Sequence, residues 1–281
     1  MPEKHVQYIG AAEANMLSWL VEIHELKDIP PFFKEVFNSF CKSNEIPYTV
    51  FCPGQKPGRH DKDSKLLCMD SERLMIASRN QRPFIAKLSD IRLISVTRVL
   101  LSSMFCIYSD SGYAYIDFNS VCKLLINRVI NARRKIDNNA PEVKLPREIL
   151  DLRETDYKGY AIALAELQGA REMKLWIRQQ KIRGRFGFMP PRIAAQMLFV
   201  TEDELIWVTE NPKEPSANRS YGGTSHYVFL KDIDYAKLKY KYNDTLILDV
   251  KIKGGKELAI KLPASRLNEA EEAMHYLDRY K

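Results

Sequence analysis

Five histidines, His5, His24, His60, His226 and His275, are the first candidates for proton transfer or metal binding. Imidazole titrates near neutrality and ligates transition metals. Here the rings are far apart in sequence, with no H-x-H or H-E-x-x-H spacing to bring two onto one face. His60-Asp61 is a dipeptide that some metal phosphohydrolases use, but it stands in a polar loop, and such a site needs further His and Asp ligands. A solvated turn is the expectation. The cysteines, Cys41, Cys52, Cys68, Cys106 and Cys122, are odd in number and form no C-x-x-C pair. They are expected to be free thiols in small apolar positions of a protein from a reducing compartment. No phosphate-binding glycine loop and no G-x-S-x-G occurs. Gly184-Arg-Phe-Gly187 has the G-x-x-G form of an RNA backbone clamp, but Pro190-Pro191 and a strand follow where a second helix should stand. No spaced carboxylate pair points to acid–base work. The expectation is no catalytic residue, no metal and no cofactor.

Charge is the stronger signal. The chain has 281 residues, with 43 Lys and Arg against 36 Asp and Glu, a net charge of +7 and a pI near 9.0. From Lys123 to Arg192 there are sixteen basic and eight acidic residues. Lys56, Arg59, Lys62 and Lys65 lie on a loop interrupted by Asp61 and Asp63, and Lys181, Arg183 and Arg185 stand just before a run of strands. Arg133, Arg134 and Lys135 end a helix, where cations suit its dipole. Lys237, Lys239 and Lys241 alternate on one strand, and Lys251 and Lys253 share a face of the next. Such a face either solubilises a sheet and blocks edge pairing or meets acidic lipid, at about 1 kcal/mol per basic residue.

These residues need elements to hold them. Hydrophobic residues make up 45% and charged residues 28%, with a mean hydropathy of −0.33, which excludes disordered, collagenous and purely coiled-coil classes. The length suits about two domains. No run of about 18 apolar residues exists, so no membrane-spanning helix is expected. Met1-Pro-Glu-Lys-His5 lacks the pattern of a secretory signal. A cytoplasmic protein, able to sit peripherally at the inner membrane face, is expected.

Met16, Trp19, Leu20 and Ile23 fit one face of a helix. Phe32, Phe33, Val36, Phe37, Phe40 and Cys41 fit another, opened by Pro30-Pro31 and too apolar to stand in water alone. That stripe either docks on the chain's own core or offers Trp19, Phe33 and Phe37 to a partner. From Pro47 the pattern alternates. Strands are predicted at 48–52, 66–69, 74–77, 84–88, 91–100, 104–109 and 113–118, then a helix over 119–134 with Val121, Leu124, Leu125, Val129 and Ile130 on its apolar side. Asp137-Asn-Asn-Ala-Pro141 and Pro146 mark a linker. A middle helix follows, with Tyr157, Tyr160, Ala161, Leu164 and Leu167 on its apolar face.

The second half repeats the first. Leu66–Asn80 lies on Met197–Asn211 without a gap at an offset of 131, and Leu88-Ser-Asp-Ile91 matches Leu230-Lys-Asp-Ile233 at 142. The eleven extra residues belong to one polar surface loop. Strands at 235–241, 245–253 and 257–262 and a final helix with Leu267, Ala270, Ala273 or Met274, and Leu277 inward complete the second copy.

Strand–turn–strand Leu66–Ala77 followed by Leu88-Ser-Asp-Ile91, and Leu198–Val208 followed by Leu230-Lys-Asp-Ile233, resemble the pleckstrin-homology-like fold of short bacterial PH-like and GRAM-like modules. The resemblance covers roughly 45–136 and 182–281. It implies an α+β protein of two antiparallel barrel or sandwich repeats, each closed by a C-terminal helix, with extra N-terminal and middle helices. The divisions are 1–43, 44–138, 139–181 and 182–281. The resemblance also implies a binding module, with the basic loop at Lys56–Lys65 receiving phosphorylated head groups. A protein partner or self-association is the first expectation and anionic lipid the second. A basic nucleic-acid binder and an enzyme of unrecognised type are the alternatives. Fold alone does not assign function.

Overall fold

A computed structural model describes residues 19–41, 46–54, 63–79, 81–99, 102–135, 145–182, 193–210, 222–241 and 244–279. The architecture is α+β, with antiparallel strands throughout and no closed barrel. The first sheet runs β1 (Val21–Ile23), β2 (Tyr48–Cys52), β3 (Lys65–Met69), β4 (Arg73–Ser78) and β5 (Phe84–Lys87), in that order. The third has β13 (Ile233–Lys241), β14 (Thr245–Ile252) and β15 (Lys256–Pro263).

Between them lies a seven-stranded sheet that belongs to both halves. It takes β6 (Ile91–Val99), β7 (Ser102–Ser109) and β8 (Gly112–Asn119) from the first half. From the second it takes β9 (Met173–Gln179), β10 (Gln196–Thr201), β11 (Glu204–Glu210) and β12 (Gly222–Phe229). The order is β8-β7-β6-β12-β11-β10-β9. The seam is β6 against β12, from Gly222 opposite Val99 to Val228 opposite Leu93.

Element order duplicates, and the second copy includes β9 and β12, which the sequence pattern did not mark as strands. Four strands, a short 3-10 turn, three strands, a second 3-10 turn and a helix occur as β2–β8 with α2 (Lys123–Arg134), and again as β9–β15 with α6 (Leu267–Asp278). Leu88–Asp90 and Leu230–Asp232 form the matched turns. β9 belongs to the second sheet, so the division at 182 falls after the first strand of the second copy.

Each half uses a different face of the shared sheet. Ile94, Val96, Phe105, Ile107, Ile116 and Phe118 pack with Leu67, Leu74 and Ile76 of the first sheet. The same face continues through Tyr227, Ile206, Phe199 and Trp176, which stand in cross-strand register with Ile94. There it is covered by the middle helices α3 (Arg147–Leu150), α4 (Leu152–Thr155) and α5 (Tyr157–Leu167), through Ile149, Leu152, Ala163 and Leu167. The opposite face carries Ile177, Leu198, Val200, Leu205 and Val228 against β13–β15 and α6. Alternation along each strand makes this possible, since successive side chains point to opposite faces.

Three expectations are corrected. Trp19–Ile23 is not helical: Val21–Ile23 pairs with β2, and Met16 lies outside the described residues. Leu20 and Ile23, three apart, would share a helix face but occupy opposite faces of a strand, and they enter different cores. Phe33 and Phe37 are not a partner surface. Each is 1% exposed, and with Phe40 of α1 (Lys34–Phe40) they cover Leu66, Cys68, Met75 and Ala77 on the outer face of the first sheet. Third, α5 turns a different side inward. Tyr157 and Leu164 are exposed, while Gly159, Ala163, Glu166 and Leu167 are buried. The α6 reading holds, with Ala270, Ala273 and Leu277 inside.

Candidate functional site

The basic residues divide into those spent inside the molecule and those left outside. Inside, the first half supplies cations, while the second half and the middle helix supply carboxylates. Asp232 lies 3.0 Å from Arg92 and 3.1 Å from Arg133. Glu204, on β11, lies 2.8 Å from Arg134. Glu166, wholly buried on α5, takes Arg98 of β6, the Tyr227 hydroxyl and, at 3.5 Å, Lys123. Arg134 also donates to the carbonyls of Gln168 (2.8 Å) and Glu166 (3.2 Å), closing the C-terminal end of α5. One guanidinium thus ties α2, α5 and β11 together.

Burial works to raise the Glu166 pKa, but Arg98 and Lys123 outweigh it and hold the carboxyl below its ordinary value. At Glu204 and Asp232 burial wins over the neighbouring arginines and both are raised. His226 stands on the seam, its Nδ1 2.8 Å from Ser95 Oγ and its ring stacked on Trp207 at 5.0 Å. Burial lowers its pKa to about 4.

Of the predicted anion-binding residues, Lys56, Arg59, Lys62, Arg183 and Arg185 lie outside the described residues, as do His60-Asp61 and Gly184–Gly187. Lys65 is committed to its own fold: Nζ donates to the Tyr115 carbonyl at 2.6 Å and sits 3.3 Å above that ring. Burial lowers its pKa. Lys237, Lys239 and Lys241 are exposed on one face of β13, with Lys251 on the same face of β14. Lys239 pairs with Asp249 at 2.6 Å and Lys251 with Glu257 at 3.8 Å. Lys253 donates to the Lys231 carbonyl at 2.7 Å. Lys237 lies over the Tyr235 ring, and neither it nor Lys241 forms an ion pair among the described residues.

Two further features were not legible in the sequence. One is an exposed apolar patch. Leu20 N–H meets Cys122 Sγ at 3.2 Å, and Arg128 pairs with Glu22 at 2.5 Å, so β1 runs beside α2. Val121 (58% exposed) and Leu124 (75%), one helical turn apart at the entry to α2 and expected on its apolar side, remain open to solvent, while Trp19 (38%) and Val21 (53%) are exposed on the side of the strand away from Leu20. Trp19 is thus the one predicted partner residue left outside.

The other is a cavity of about 430 Å³ between the N-terminal end of α5 and the shared sheet. Its floor is two cross-strand rows: Arg178, Met197, Val208 and Ser225, then Glu210, Gly223 and Arg98. Lys158, Gly159 and Ile162 of α5 form the wall opposite. Gly159 leaves room for the Asp156 side chain: a Cβ there would stand 2.5 Å from Asp156 Oδ2, and at ordinary contact, 3.6 Å, from Arg178 Nε. Lys181, predicted as an anion-binding residue, stands on the wall.

Among the described residues no group of three His, Cys, Asp or Glu is placed to hold a metal ion, and no helix is long and apolar enough to cross a membrane. No known family model matches the sequence, and no curated protein matches it at a significant level.

Proposed function

We propose that this chain is a non-catalytic binding or adaptor protein whose two sheet-and-helix units, of pleckstrin-homology-like order, hold out a surface for a protein partner. The observation that carries the reading is the pair Val121 and Leu124, one helical turn apart at the entry to α2, with Trp19 and Val21 also exposed at β1. Large apolar side chains left open beside a well-filled core cost solubility unless something covers them. Support also comes from how the buried carboxylates are used. Glu166, Glu204 and Asp232 are each held by arginine, which suits a rigid frame better than proton transfer. Arg133 and Arg134, part of the central basic excess, face carboxylates of the same molecule. This weakens the nucleic-acid alternative, which would have them meet phosphate.

The test is site-specific photocrosslinking in the native cell. A benzophenone side chain at Leu124 should capture one recurring protein that the same label at Glu271, on exposed α6, does not. Equal adduct patterns at both positions would sink the protein-partner reading. A membrane arm follows from the β13–β14 lysines. Sedimentation with anionic vesicles should exceed that with neutral vesicles, and should fall in a Lys237→Glu, Lys241→Glu variant. With two of the face's cations already paired, the remaining attraction is only about 1 kcal/mol per free lysine. Strong salt-independent binding would contradict this arm.

A further inference from the structure

We infer that the cavity beside α5 is a binding site for a small organic monoanion with an apolar body. The argument begins with charge. Arg98, Lys158, Arg178 and Lys181 line the space. Arg178 is held by Asp156, Lys158 by Glu210 at 3.0 Å, and Arg98 by Glu166 behind the wall. Lys181 forms no ion pair among the described residues. Lys181 is therefore the one lining cation without a carboxylate partner among the described residues. That matches a single carboxylate or sulfonate and falls short of a polyphosphate, whose further charges would have to displace existing partners.

The rest of the surface is apolar or small. Met197 and Val208 form the middle of the floor, Ile162 the helix side, and Ala195 and Gly223 leave the room that longer side chains would fill. The size falls within the range of drug-sized ligand sites, as does the pairing of an apolar surface with a few polar anchors. A head group near Lys181 with a flat or chain-like body over Met197 and Val208 satisfies both halves.

The experiment uses the full chain and two fluorescent probes of similar body: the monoanion 1-anilinonaphthalene-8-sulfonate and the neutral N-phenyl-1-naphthylamine. The sulfonate should bind saturably and more tightly than the neutral probe. Ala195→Trp, which fills the cavity, should weaken both. Lys181→Glu should weaken the sulfonate about tenfold, the worth of one charge-assisted contact, and leave the neutral probe unchanged. Leu124→Ser, in the distant patch, should alter neither. Near-UV circular dichroism checks that each variant folds, and Lys181→Glu, at a half-buried strand end, keeps the test open if Ala195→Trp does not. Sulfonate binding that is indifferent to Lys181→Glu, or that is lost with Leu124→Ser, overturns the proposal, as does the absence of saturable binding by the parent chain.

Discussion

Arg134 is the residue on which the junction turns. Its side chain is almost wholly buried beside an equally buried Glu204. Arg134→Ala should therefore cost about 3–5 kcal/mol in urea unfolding, chiefly because Glu204 is left as an uncompensated charge. Arg134→Met with Glu204→Leu should recover most of that loss, since replacing both partners by apolar groups is often neutral. A double variant as unstable as the single one would show that the cost lay in the α5 cap instead. His226 gives a pH-dependent counterpart. Its folded pKa, about 4, lies below the ordinary value of 6.5, so the unfolded chain binds the proton more readily. Stability should fall as pH drops from about 6.5 towards 4, by up to about 3 kcal/mol at 1.36 kcal/mol per unit. Below that it should not fall further on this residue's account. Denaturant midpoints across that window should flatten in His226→Gln.

At the scale of elements, the aromatic helix α1 separates two readings that the sequence left open. If it is core, Phe37→Ala should cost about 3–5 kcal/mol, whereas Phe32→Ser, exposed at the surface with Arg79 over its ring, should cost less than about 1 kcal/mol. Similar small losses at both positions, measured by thermal unfolding, would return Phe37 to the list of contact residues. The stripe was legible because i, i+3, i+4 spacing survives in the sequence. Its destination was not, because an apolar face reads the same whether its own sheet or another molecule covers it. α5 failed for a different reason. Tyr157 and Leu164 look like core residues, but the buried side of the helix carries the small residues Gly159 and Ala163 and the ion-paired Glu166. Small size and charge pairing overrode hydrophobicity there.

At the scale of the molecule, the shared sheet predicts one cooperative unit. Seven register pairs join β6 to β12, and four carboxylate–arginine contacts tie the first half to the second half and the middle helix. Calorimetry should give a single transition with equal calorimetric and van't Hoff enthalpies; two resolved transitions would mean that the halves unfold separately. The junction is head-to-tail, so the partner edges β5 and β13 are left at the ends of their sheets. Both are guarded. Pro83 precedes the short β5, and β13 carries its lysines. The Ala236 amide on β13 is taken by Asp278 Oδ1 at 3.4 Å. Asp278 ends α6 where Arg134 ends α2, so the second copy does not repeat the cation that docks the first. Replacing Lys237, Lys239 and Lys241 with Val and Asp278 with Ala should shift sedimentation towards larger species, as an unguarded edge would; an unchanged profile would assign those residues to solubility alone.

The sequence by itself determined most of the strands, the two closing helices and the order in which they recur, because period-2 and period-3.6 burial and short turns are local properties written residue by residue. Cross-strand pairing is not local. That Val21–Ile23, β9 and β12 are strands at all, that β6 meets β12, and that Arg98 and Arg134 answer carboxylates 68 and 70 positions away were settled only by packing. A lysine or glutamate in a sequence carries its charge but not its neighbour, and it is the neighbour that decides whether the charge holds the molecule together or remains available to something else.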